Sequence, residues 1–266
     1  MKFYLFVLML FSFSSFAQEV NQKLSNYDNK IYSLKTKGVK DFVVEVESDR
    51  LTKQVNDQLI FGKVSKLIFK IFWTAQPERL AIDIIGLPEG FKEIKDELKL
   101  NIMGQLEFLN PVPLSQKFAG YSFTKGNLPN EILAEDKSGI APIPAYILKF
   151  DDEQKLTEIE GKKPIGTFQV QMGYEKQGFA ENKFLLSNVT STNSENGQNL
   201  VIKKELNYST HDGMGVLTEV EINTTQRWEK SELKPVSQKE IIVFKNYKIN
   251  SGDGIKHFLA QPEKKK

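Results

Sequence analysis

Beyond the proline-containing loop Asn110–Leu114, no stretch of the chain spaces its apolar residues for a helix, and long alternating segments separated by turn signals take over. Leu200, Ile202, Leu206 and Tyr208 alternate with Lys203, Glu205 and Asn207, while Val216, Val220 and Ile222 stand among Leu217, Glu219, Glu221 and Asn223. Turn residues recur at Gly126-Asn127, Ile140–Pro144, Asp151-Asp152, Lys162–Pro164, Lys176–Gly178, Asn196-Gly197, Asp212–Gly215 and Lys234-Pro235. The pattern predicts a meander of long strands with one oily and one charged face. Such a sheet cannot stay open in water, because burying the oily face is what offsets the entropy of ordering the chain. It must close on itself or be covered.

The covers lie in the first 110 residues. Val20, Leu24, Tyr27, Ile31 and Leu34 recur at three- and four-residue steps, which predicts a helix over Glu19–Leu34 ending near Gly38. Phe91, Ile94, Leu98, Ile102, Leu106 and Leu109 repeat that spacing and predict a second amphipathic helix. Between them, Phe42, Val44 and Val46 alternate with Asp41, Glu45 and Glu47 as a strand. Ser48 and Asp49 then read as caps of a short helix carrying Leu51, Val55 and Leu59, with a loop as the alternative. Leu67–Trp73 and Leu80–Ile85, joined through Ala75-Gln76-Pro77-Glu78, read as a hairpin with Leu67, Phe69, Ile71, Trp73, Leu80, Ile82 and Ile84 inward. Long twisted strands curl as they accumulate. The expected fold is therefore mainly β with some α: a strongly curved antiparallel sheet, a half-barrel, capped by amphipathic helices.

Charge and cysteine content narrow the function. Lys and Arg number 36 against 34 Asp and Glu, a formal net charge of +2, which excludes a polybasic nucleic-acid binder. There is no cysteine, hence no disulfide framework, thiolate metal site, thiol nucleophile or lipidated cysteine. Met1–Ala17 has the positive start, apolar run and small-x-small ending (Ser15-Phe16-Ala17) of an export signal cleaved after Ala17. The run is shorter than the roughly 20 residues that span a bilayer. Export without cysteine points to a bacterial periplasm. The expected organisation is a leader over 1–17, one domain over 18–259 and a disordered basic tail over 260–266.

Signals for catalysis are few. His211 stands in a His-Asp-Gly turn and His257 near the carboxy terminus, neither with a partner at metal-ligand spacing, and Asp151, Asp152 and Glu153 read as a polar turn. No phosphate loop, dinucleotide fingerprint, zinc-protease motif or nucleophile elbow is present. A non-enzyme without metal or cofactor is expected, with a hydrolase built from distant residues as the weakest alternative.

The order of leader, helix, strand, aromatic hairpin around Phe69-Lys-Ile-Phe-Trp73 and Gln76-Pro-Glu-Arg-Leu-Ala-Ile-Asp83, second helix and unbroken meander resembles the periplasmic lipoprotein carriers, the LolA-like family that sorts lipoproteins to the outer membrane. The resemblance covers most of the chain in layout and implies an eleven-stranded half-barrel lidded by helices. It also implies a non-catalytic carrier of lipid or lipoprotein acyl chains, served by donor and acceptor proteins of the inner and outer membranes; a monomer is expected. The present chain is longer than the usual carriers, which leaves the cargo open.

A sixteen-carbon acyl chain leaving water gains on the order of 12 kcal/mol at about 0.8 kcal/mol per methylene, so a greasy concavity can extract lipid unaided. Release then requires a lid that competes for the same surface. The expected lining is Phe69, Ile71, Trp73, Leu80, Ile82, Ile84, Phe168, Val170, Met172, Leu200, Ile202, Val220 and Ile222, with Phe91, Ile94 and Leu98 of the second helix pressed against it. Arg79, and likewise Arg50, could lock a lid helix by donating to its exposed carbonyls; a solvated side chain at a turn is the alternative. The rival to a carrier is an envelope protein-interaction module of the same fold with a solidly packed interior.

Overall fold

The computed structural model describes residues 19–59, 62–88, 90–229 and 234–260. The expected leader and all of the expected tail except Ala260 lie outside these residues. Three strands come first, β1 (Asp41–Ser48), β2 (Ile68–Ala75) and β3 (Glu78–Ile85). The meander follows as β4 (Tyr121–Lys125), β5 (Glu131–Asp136), β6 (Ala145–Phe150), β7 (Leu156–Lys162), β8 (Thr167–Glu175), β9 (Leu185–Glu195), β10 (Gln198–His211), β11 (Met214–Trp228) and β12 (Val236–Ile249). The helices are α1 (residues 19–30), α2 (Asp49–Gln58), α3 (Lys92–Leu106), α4 (Leu114–Lys117) and α5 (Asp253–Ala260).

All twelve strands form one curved antiparallel sheet in the order β3-β2-β1-β12-β11-β10-β9-β8-β7-β6-β5-β4, open at β3 and β4. That is one strand more than the carrier resemblance implies. Consecutive strands pair with their neighbours except at one place, where β1 and β12 join the two ends of the chain through pairs such as Ser48 with Ile242. Tight turns fix the registers: Asn196-Gly197 and Asp212-Gly213 both take positive φ at their two residues, the geometry that suits the twist of two-residue hairpins.

Two large cores lie on one face of the sheet. The first packs α2 and α3 on β1, β2, β11 and β12, through Leu51, Val55, Leu98 and Ile102 over Phe42, Phe69, Trp73 and Phe244. The second seats Val20, Leu24 and Tyr27 of α1, with the following Ile31, on Ile132, Leu148, Phe150 and Ile159. Both share a face because Met172, which leans on the second, is the cross-strand partner of Val189, which leans on the first. The first helix ends at Lys30, earlier than the expected Leu34, because Ile31 bridges to Phe184 and Tyr32 N–H donates to Phe184 O at 2.8 Å. The short helix after β1 does form: Ser48 Oγ accepts from Leu51 N–H at 3.2 Å, and Leu51 and Val55 are buried. Helix α5, for which the sequence carries no expectation, packs on the opposite face, where the ring of His257 stacks on Phe72 with centroids 3.8 Å apart. Ala260, expected in the tail, is its last residue.

Candidate functional site

The helices do not cover the whole of their face. Register places Phe168, Val170 and Met172 of β8 beside Asn193, Ser191 and Val189 of β9, and these beside Leu200, Ile202 and Lys204 of β10. Each is half-buried. They form a strip roughly 10 Å by 14 Å, from the usual spacing of three strands and of alternate residues along them. Val170 and Met172 lean on the second core and Val189 and Ile202 on the first, so the strip is the seam between the two.

The segment joining α3 to α4 crosses from one core to the other. Leu106, Phe108 and Leu109 are buried in the first core, Leu114 and Phe118 in the second. Asn110 Nδ2 donates to Glu78 Oε1 at 2.7 Å, and Leu114 N–H donates to Asp28 Oδ1 of α1 at 2.8 Å. Burial pushes the Asp28 carboxyl above its ordinary value, opposed by the backbone N–H groups of Leu114 and Ser115. The seat of this strap is incompletely satisfied: Gln105 Oε1 and Asn110 Oδ1 are buried with no hydrogen-bond partner among the described residues. Two small cavities lie on the helical side of the sheet. One of about 10 Å³ lies beneath Phe108 and Leu109 against Tyr32, Tyr208 and Leu217, and one of about 20 Å³ lies beside Val20 and Ile132. Each has room for about one water molecule.

At the inner end of the strip, Lys204 Nζ sits 4.8 Å from the centroid of the Phe108 ring. Burial lowers the pKa of its ammonium, opposed by the more distant Glu107 and Glu240 and reinforced by Lys117. Glu240, two strands away on the same row, is engaged by Arg50 Nε at 2.6 Å and Ser48 Oγ at 2.7 Å. Glu107 faces Lys117 at 3.5 Å.

The structure divides the expected lining in two. Phe168, Val170, Met172, Leu200 and Ile202 come together in the uncovered strip. Phe69, Ile71, Trp73, Ile82, Val220 and Ile222 are sealed in the first core with Leu98 of α3 directly among them. Phe91 and Ile94 are half-buried against that core, as is Ile84, and Leu80 on the edge strand is 40% exposed. Arg79 faces the other way. It pairs in register with Thr74, and its guanidinium lies 6.0 Å from the Phe258 ring of α5, so it reaches neither α1 nor α3 as a lock. Arg50 does bind at the helical face, to a carboxylate of β12 rather than to helix carbonyls.

Sequence reasoning passed over Val189, Phe108 and Lys204. A signal for Lys204 exists: it occupies an inward position of the row Leu200, Ile202, Lys204, Leu206, where a charge breaks the oily face. Phe108 falls just past the end of α3 and comes to Lys204 only through tertiary packing. No family model, curated protein or solved structure matches this chain.

Proposed function

We propose that the protein is a non-catalytic periplasmic carrier of acyl chains, from lipids or lipidated proteins, akin to the LolA-like carriers. The observation that supports this reading is the half-buried apolar strip of β8–β10 left between two packed cores on the same face of the sheet. Ser191 and Asn193 of β9 interrupt the strip between its apolar rows on β8 and β10, and Thr224 and Gln226 bound it on β11, so an apolar chain gains free energy by lying along one row, Phe168, Val170 and Met172 or Leu200 and Ile202. The strap, whose Gln105 and Asn110 oxygens have no hydrogen-bond partner among the described residues, is the lid in this reading: lifting it would expose Phe108 and Leu109 and extend the strip toward Tyr208 and Leu217. Cargo and strap would then compete for one surface, which provides release.

The test is uptake of a fluorescent fatty acid by purified protein, with native mass spectrometry of material taken from the periplasm. Ile202→Asp and Val170→Asp place charge in the strip at half-buried positions. Each is expected to weaken uptake about tenfold or more with the fold retained, as judged by circular dichroism. Uptake unchanged in both variants overturns the reading. The water-sized cavities and solid packing beneath α2 and α3 favour a second reading, an envelope protein-interaction module. A wild-type protein that carries no lipid and takes up none supports that one.

A further inference from the structure

Resting on the carrier reading, we infer that the strip receives an amphiphile with a single anionic head, carboxylate or phosphate, whose head is held by Lys204 and whose chain runs from there along Val189, Ile202 and Leu200. The inference stands on the position of one cation. Lys204 is the one charged residue in the register rows of the strip and lies at the end closed by the Phe108 ring; at the opposite, half-exposed end, by Phe168 and Leu200, the Lys163 ammonium that reaches Asn193 Oδ1 at 2.6 Å is already paired with Glu195 at 3.3 Å. The two carboxylates whose charge acts on it are already engaged elsewhere, Glu240 by Arg50 and Ser48 and Glu107 by Lys117. Among the described residues the ammonium has an aromatic face against it and no ion pair, and the pull of Glu107 and Glu240 offsets only part of the hydration it has lost. An anion arriving on an apolar chain supplies that counter-charge in a place where free ions in water do not readily follow, and charge-assisted hydrogen bonds are the stronger kind.

The geometry also assigns an orientation: head inward under the strap, tail toward the turn Asn196-Gly197. Phe108 must yield its place on the ammonium to the head, which couples head binding to movement of the strap.

The experiment is calorimetric titration of the full-length mature protein with dodecanoate and with dodecan-1-ol, two ligands of one chain length that differ in head charge. Wild type is expected to prefer the anion by about tenfold or more, the range of a charge-assisted hydrogen bond. Lys204→Met keeps the length and apolar stem of the side chain and is expected to lose that preference while still binding the alcohol; Lys204→Arg is expected to keep it. A preference for the anion that survives in Lys204→Met, or a wild type that favours the alcohol, overturns the inference and leaves the carrier reading standing. A folded wild type that binds neither ligand overturns both. Melting curves of the two variants separate a lost head contact from a lost fold.

Discussion

Asp136 closes the turn that leads from β5 toward β6. Its carboxylate accepts from Ala141 N–H at 2.9 Å, Ser138 N–H at 3.0 Å and the Ser138 hydroxyl at 2.8 Å, and these donors hold its pKa at about 2 instead of the ordinary 3.8. A group whose folded pKa is depressed contributes stability that is complete above its unfolded value and is lost as the pH falls through the folded one. The turn is therefore expected to hold down to about pH 4 and to loosen between there and about pH 2. Carboxyl chemical shifts and amide exchange at Ala141 measured across that range check this, and Asp136→Asn should abolish the pH step. The turn itself was legible, since Ile140–Pro144 carries its signal in composition. The three donors were not, because they depend on the path of the backbone. Tyr27 teaches the same lesson. Its helical spacing predicts burial, yet only the fold brings its hydroxyl within 3.0 Å of Tyr174 OH, where burial pushes the phenol up to about 12.

Helix α5 shows how an element escapes a reading by pattern. Eight residues give barely two turns, too few for apolar spacing to be distinctive. Its seat was made more than 200 residues earlier: buried Asp41 of β1 accepts from Gly252 N–H at 3.2 Å and Gly254 N–H at 3.0 Å at the start of the helix. Gly254 is needed there for room, since a Cβ would lie 2.8 Å from Trp73 O and 3.1 Å from Asp41 Cβ. Gly254→Ala is expected to cost about 1–3 kcal/mol and to free α5 from the sheet. A lowered melting temperature with earlier proteolysis near the carboxy terminus would show it, and wild-type values for both would refute it. By contrast α1 and α3 were legible as elements, because Val20, Leu24, Tyr27 and Ile31, and Leu98, Ile102 and Leu106, do face the sheet.

At the scale of the whole molecule, cover and protection should coincide. Amides of β1, β2 and β12 lie beneath α2 and α3, whereas those around Ser191, Asn193 and Leu200 lie in the strip. Hydrogen exchange followed by mass spectrometry is expected to find the first group slowest and the strip measurably faster; uniform protection across the sheet would contradict this picture. The sequence alone determined that long strands with one oily face would form a sheet and that amphipathic helices would cover it, because alternation by two and spacing by three or four are local properties that survive in any context. It also determined the turns. Only the tertiary structure decided which oily residues became core and which stayed open. Val220 and Ile202 sit in neighbouring strands with the same alternation, yet one is sealed under α3 and the other lies in the seam. That difference is set by where two helices and one strap come to rest across the sheet, a matter of area covered against area available, and no row of residues along a strand records the position of its cover.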